Sequence, residues 1–178
     1  MKVVAQPFAG ILVIEPKRFE DERGFFLESF EIERYRALGV SETFVQDNHS
    51  RSKKNVLRGL HFTRHKPQAQ LLTVINGMIF DVVVDIRKDS PTFGKWFGKE
   101  LSADGTSQIY MAHGFAHGFC VLSDSADLHY KVSQSYDPHD DGVLLWNDSE
   151  VNINWPIKNP TISDRDSQHG KLFKIMID

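Results

Sequence analysis

Apolar and polar residues alternate in short runs along most of this chain, and Gly, Pro, Asp and Ser clusters separate the runs. A period of two predicts strands with one buried face. The candidates are residues 10–14, 25–30, 96–101, 108–112, 118–122 and 127–133. The most β-branched stretch, QLLTVINGMIFDVVVDIR at 70–87, divides at Asn76-Gly77. Both residues of that pair tolerate positive φ, so it predicts a type I′ turn and a β-hairpin. A helical pattern covers 31–38 and stops at Gly39, a residue suited to end a helix in the left-handed region. Near the C-terminus the pattern is too weak to assign a second helix. Residues 46–54, QDNHSRSKK, lack apolar alternation, and their charges read as the solvated face of a loop. Many short strands with turn signals between them give an all-β fold, a jelly-roll barrel with short peripheral helices.

Composition narrows the class without naming a chemistry. A length of 178 residues fits one domain spanning 1–178, large enough to fold without a disulfide or structural metal. Cys120 stands alone, which excludes an internal disulfide framework and fits a reducing compartment. The balance of 21 Lys+Arg against 24 Asp+Glu lacks the basic footprint of a nucleic-acid binder. No apolar run approaches a membrane span, and the N-terminal stretch lacks a secretory pattern, so the expected location is cytoplasmic.

Candidate chemistry begins with histidine. Five of the eight, His49, His61, His65, His113 and His117, fall between residues 49 and 117. The pairs His61/His65 and His113/His117 are each four apart, a spacing too wide on a strand to chelate one ion. No His-x-His is followed closely by Glu, so the metal-holding arrangement of a cupin is not expected. In V-L-R-G-L-H (56–61) the alternation slips, which predicts a β-bulge at Gly59. Arg58 beside it suits bidentate recognition of phosphate or carboxylate. HGFAHGF (113–119) repeats a His-Gly-Phe unit, with glycines that permit close approach and phenylalanines that can wall a pocket.

Nine motifs in order, among them D-E-R-G-F-F (21–26), F-V-Q-D-N-H-S (44–50), V-L-R-G-L-H-F (56–62), V-D-I-R-K-D-S-P-T-F-G (84–94), G-F-A-H-G-F (114–119), L-H-Y-K-V (128–132) and S-D-R-D (163–166), resemble the dTDP-4-dehydrorhamnose 3,5-epimerase family. The resemblance covers nearly the whole chain. It implies a cupin-type homodimer acting on a dTDP-4-keto-6-deoxyhexose, with no metal or organic cofactor. It implies His61 as base, Asp166 as the carboxylate that orients it, and Tyr130 as the acid on the opposite face. His117 would contact the sugar or its oxyanion. Arg23, Arg58 and Arg165 would hold the diphosphate, Gln46 and Asn48 would line the cleft, and Tyr136 would stack on the base. Phe26 and Glu28 would lie on a segment that crosses to the partner subunit's site.

The chain departs from the pattern at two places. Gln70 stands where the family usually has a Lys that stabilises the enolate oxygen, and Ala112-His113 replaces the Pro before GFAHGF. Compensation of the missing charge by His113 is one open alternative. These departures keep open an epimerase of one carbon, at 3 or 5, and a 3,4-ketoisomerase on a related nucleotide sugar. A non-catalytic sugar-nucleotide-binding cupin and a metal-dependent cupin oxygenase are the readings from other classes.

Overall fold

The computed structural model describes residues 1–168 and residue 173. The strands are β1 (Lys2–Ala5), β2 (Ile11–Glu15), β3 (Arg18–Asp21), β4 (Gly24–Leu27), β5 (Gln46–Lys53), β6 (Leu57–Thr63), β7 (Gln70–Asn76), β8 (Met78–Asp85), β9 (Trp96–Ser102), β10 (Gln108–Met111), β11 (Phe115–Val121), β12 (Ser125–Val132) and β13 (Asp141–Val143). They form a six-stranded sheet, β1-β2-β10-β7-β12-β5, facing a five-stranded sheet, β13-β6-β11-β8-β9. The result is a cupin-type jelly roll. β3 and β4 pair only with each other, as a separate two-stranded arm.

The Asn76-Gly77 pair does not make the expected hairpin. β7 belongs to one sheet and β8 to the other, so the chain turns a corner between layers. Only Gly77 of the pair has positive φ, at 75°, whereas a type I′ turn needs it at both positions. A Cβ on Gly77 would lie 2.0 Å from the Ser125 carbonyl oxygen, so the corner is packed against the start of β12. Residues 46–54 are likewise not a loop. β5 pairs along its length with β12, from Gln46↔Val132 to Lys53↔Ser125. Its burial alternates, but the inward residues Gln46, Asn48 and Ser50 are polar, which hid the strand from a hydrophobic pattern.

α1 (Ile32–Ala37) matches its expected place. The Glu31 carboxylate caps its N-terminus by accepting from the Glu33 and Arg34 amides, and Gly39 follows at φ 101°. Tyr35 on α1 is fully buried against Leu12, Leu71 and Tyr110 on the outer face of the six-stranded sheet. α2 (Asp164–Gln168) is a second short helix, in the C-terminal stretch whose pattern is too weak to assign. No helix among the described residues is long and apolar enough to cross a membrane.

The inward positions divide by chemistry along the barrel axis. Val74, Leu72, Val83, Phe119, Ala126 and Leu128 belong to the apolar core between the sheets. Continuing along the same strands in steps of two, β7 reaches Gln70, β11 reaches His117 and β12 reaches Tyr130. One end of the interior is therefore filled with hydrocarbon, and the other is lined with polar groups.

Candidate active site

A cavity of about 320 Å³ occupies that polar end, within the size range of small-molecule sites. Gln46, Asn48 and Ser50 come from β5, Arg58 and His61 from β6, Gln70 from β7, His117 from β11 and Tyr130 from β12. Tyr136, Asp141 and Arg165 stand at its rim. Nine sequence candidates thus converge on one space, and Asp166 lies directly behind His61.

His61 Nε2 lies 2.8 Å from one Asp166 oxygen, and the other oxygen accepts the Gly59 N–H at 3.2 Å. Because an ionised carboxylate only accepts, this contact assigns the proton to Nε2 and leaves Nδ1 as the basic nitrogen. Burial of Asp166 opposes its ionisation, but the His61 contact, the Gly59 amide and the Arg165 charge together hold its pKa below the usual carboxylate value. The bulge expected at Gly59 is present. The β6–β11 register shifts between His117↔His61 and Phe119↔Arg58. Gly59 has φ 123°, and a Cβ there would stand 2.6 Å from the Gly118 Cα, so backbone meets backbone at this crossing. That contact fixes where His61 emerges.

Burial raises the Tyr130 pKa, partly offset by the nearby Arg58 charge, which keeps the phenol protonated and able to donate. Arg58 uses Nε to donate to Ser52 at 2.9 Å. Arg165 pairs with Asp141 at 2.5 Å, and the Tyr136 hydroxyl donates to the same carboxylate at 3.3 Å. Gln70 Nε2 donates to Gln68 at 3.2 Å, so its amide is already oriented and brings no charge. His113 is exposed and does not line the cavity, so it cannot replace that charge. The loop after β10 turns it outward at Gly114, whose φ is 87°.

Arg23, Phe26 and Glu28 are absent from the cavity of their own chain. Arg23 pairs with Asp21 at the arm's tip, Glu28 pairs with Arg34, and Phe26 is 70% exposed. Sequence reading also missed Asp81, which is 1% exposed and lies 2.7 Å from His117 Nε2. A charged residue at an inward position of the β-branched run MIFDVVVD was the available signal. Asp141, Gln68 and Ser50 had no comparable signal. Among the described residues, no group of three or more His, Cys, Asp or Glu could hold a metal ion.

Imidazole–carboxylate pairs, a protonated phenol and guanidinium groups around one cavity define an acid–base enzyme on a cupin-type jelly roll. Comparison with known proteins gives the family. The family profile described as dTDP-4-dehydrorhamnose 3,5-epimerase matches residues 5–174. The dTDP-4-dehydrorhamnose 3,5-epimerase of Shigella flexneri is 50% identical over 175 residues, covering 97% of this chain and 96% of that protein. A crystal structure of the Legionella pneumophila enzyme, in complex with dTDP-4-keto-L-rhamnose, superimposes with a TM-score of 0.94 at 43% identity, covering 99% of this chain and 94% of that one. A dTDP-4-dehydrorhamnose 3-epimerase of Streptomyces niveus is 40% identical over 159 residues, 88% of this chain and 77% of that protein. The chain belongs to the dTDP-4-dehydrorhamnose 3,5-epimerase family of isomerases.

Proposed function

We propose that this protein epimerises a dTDP-4-keto-6-deoxyhexose at carbons 3 and 5, converting dTDP-4-dehydro-6-deoxy-glucose to dTDP-4-dehydrorhamnose for rhamnose synthesis. The observation that carries the reading is the His61–Asp166 pair facing the same cavity as Tyr130. The ketone at carbon 4 acidifies the hydrogens on both neighbouring carbons. His61 Nδ1 takes such a proton, the electron pair moves to the carbon 4 oxygen as an enolate, and Tyr130 returns a proton to the other ring face. General acid–base catalysis of this kind is worth roughly 10²–10⁴ in rate. The chemistry is redox-neutral and needs no resident cofactor.

Arg58 and Arg165 at the polar end suit a diphosphate, and Tyr136, 61% exposed at the rim, suits stacking on the base. The arm bears Phe19, Phe25 and Phe26, all more than half exposed, beside Arg23. Three exposed phenylalanines on an arm without a sheet partner support a homodimer in which Arg23, Phe26 and Glu28 complete the other subunit's site. The buried, solitary Cys120 is compatible with work in the cytoplasm.

The test supplies dTDP-4-dehydro-6-deoxy-glucose in deuterium oxide and follows carbons 3 and 5 by NMR. Deuterium at both, with conversion to the rhamno product, is expected. Exchange at neither carbon by folded, nucleotide-binding protein defeats the reading. The second reading, an epimerase of a single carbon, is favoured by the neutral Gln70 in the cavity and gives exchange at one carbon only.

A further inference from the structure

The arm that bears Arg23 and Phe26 is free along its length and held at its roots. Every residue from 19 to 26 is exposed, and β3 and β4 pair only with each other. At the first root, Arg18 donates from Nη1 to the Asp104 carbonyl at 2.9 Å, and its guanidinium lies 4.2 Å from the Phe25 ring centre. At the second root, just past β4, the Ser29 carbonyl accepts from Gln108 Nε2 at 2.9 Å and from the Tyr35 hydroxyl at 2.8 Å. The next residue, Phe30, packs against the Tyr35 and Phe44 rings at 4.9 and 5.4 Å between centres.

Gln108 and Tyr35 are both fully buried. A carbonyl oxygen only accepts, so the contact with Ser29 fixes which end of the Gln108 amide is nitrogen. The same Nε2 also donates to Thr73 Oγ1 at 2.8 Å, and Oε1 lies 2.5 Å from the Tyr35 hydroxyl. The rest of β10 is Ile109, Tyr110 and Met111, so the strand itself has no need of an amide at this position. Burying an amide is unfavourable unless its donors and acceptor are matched. Here amide, phenol and backbone carbonyl close a triangle, and the corner they hold is the point where the arm rejoins the barrel.

That corner acts on residues far from it. Arg23 stands six residues before Ser29, up to about 20 Å of extended chain, so a tilt of about 10° at the root moves it by roughly 3 Å. A misplacement of about 1 Å at a reacting site can cost about 10²-fold in rate. We propose that Gln108 and Tyr35 are positioning residues for catalysis in the opposite subunit. Their hold on the Ser29 carbonyl aims the arm so that Arg23 and Phe26 reach the other barrel's cavity. Neither side chain touches substrate, and neither serves the cavity of its own barrel. The inference rests on the epimerase reading and on its homodimer, in which the arm completes the second site.

The experiment is complementation between two variant chains, with turnover of dTDP-4-dehydro-6-deoxy-glucose as the readout. Gln108→Leu alone should lose about tenfold or more in turnover, and circular dichroism should show it folded. His61→Asn alone should be inactive, because its base is gone. The two chains are co-expressed with different affinity tags, and the mixed dimer is purified through both. In it the intact barrel of the Gln108→Leu chain receives the intact arm of the His61→Asn chain, so one of two sites works and about half of wild-type turnover per dimer returns. Tyr35→Phe, which keeps the packed ring and removes one oxygen, is paired with His61→Asn in the same way and carries the test if Gln108→Leu does not fold. Wild-type turnover in both variants alone overturns the proposal. So does a mixed dimer no more active than its parents, since the defect then lies in the variant's own barrel. Arg23→Ala paired with His61→Asn tests the arm itself: no recovery in that pair defeats the homodimer reading, and the clamp falls with it. A wild type without turnover defeats the epimerase reading and the proposal together.

Discussion

His61 and Asp166, 105 positions apart in the chain, meet at 2.8 Å, and the same carboxylate also accepts the Gly59 amide from the strand that carries His61. The acid therefore holds both the ring and the backbone beneath it. Asp166→Asn keeps the shape but can no longer act only as an acceptor, so it no longer enforces one tautomer. Turnover is expected to fall by roughly 10²–10⁴ while dTDP affinity stays within a few-fold. Steady-state rates and titration calorimetry check this, and a variant with wild-type turnover would remove the pair from the mechanism.

Tyr130→Phe separates removal of the proton from its return. The base is untouched, so hydrogen exchange at the carbons should continue. Inversion should slow by about 10²-fold, because the opposite face has lost its donor. Equal loss of exchange and inversion would place the phenol elsewhere in the reaction.

Gln70→Lys adds a cation to the cavity wall, where Gln70 now donates to Gln68. A cationic donor holds the anionic enolate oxygen more strongly than a neutral amide does, so enolate formation should speed up by about tenfold. The carbon–hydrogen exchange rate reads this directly. A slower variant would show that the neutral amide fits the substrate better than a charge does.

Phe26→Asp places a charge on the most exposed aromatic of the arm, far from the barrel core. The fold should be unaffected. The sedimentation coefficient should fall to that of a single chain, and turnover should fall with it. An unchanged sedimentation coefficient would exclude the arm as the subunit contact.

Asp85 is fully buried and accepts from the Arg87 backbone and side chain and from the Ser90 and Thr92 hydroxyls. Burial opposes its ionisation, but these donors prevail and lower its pKa to about 2. A folded-state pKa below the unfolded value, about 3.9, stabilises fully above that value and is lost as the pH falls through the lowered one. Asp85→Asn should therefore cost on the order of 1–2 kcal/mol near neutral pH, with the gap from wild type closing between about pH 4 and pH 2. Urea unfolding across that range measures it; a gap independent of pH would assign the effect to packing.

Much of the barrel was legible because apolar alternation tracks the pleat wherever one face meets hydrocarbon. It failed at β5, where the buried face is the wall of the cavity and consists of Gln46, Asn48 and Ser50. It also failed at Asn76-Gly77, whose residue types specify a tight bend but not whether the next strand returns to the same sheet. For the site, chemistry-bearing residues stood out in motifs that resemble a family, but their pairing did not. Nothing local links His61 to Asp166 or sets His117 opposite His61. Asp81 was hidden in a strand whose other inward residues are apolar, and only the fold shows that its carboxylate reaches a histidine.

The division of the interior into a hydrocarbon end and a polar end has a thermodynamic consequence. Side chains complete the core at one end, whereas the other holds a space of about 320 Å³. A nucleotide sugar seated there acts as the missing plug of the barrel, tying together β5, β6, β7, β11 and β12 from both sheets. Because only the folded chain offers that seat, occupancy adds its binding free energy to folding, about 2.7 kcal/mol at a hundredfold excess over Kd. The protein should be at its most heat-resistant while it is working.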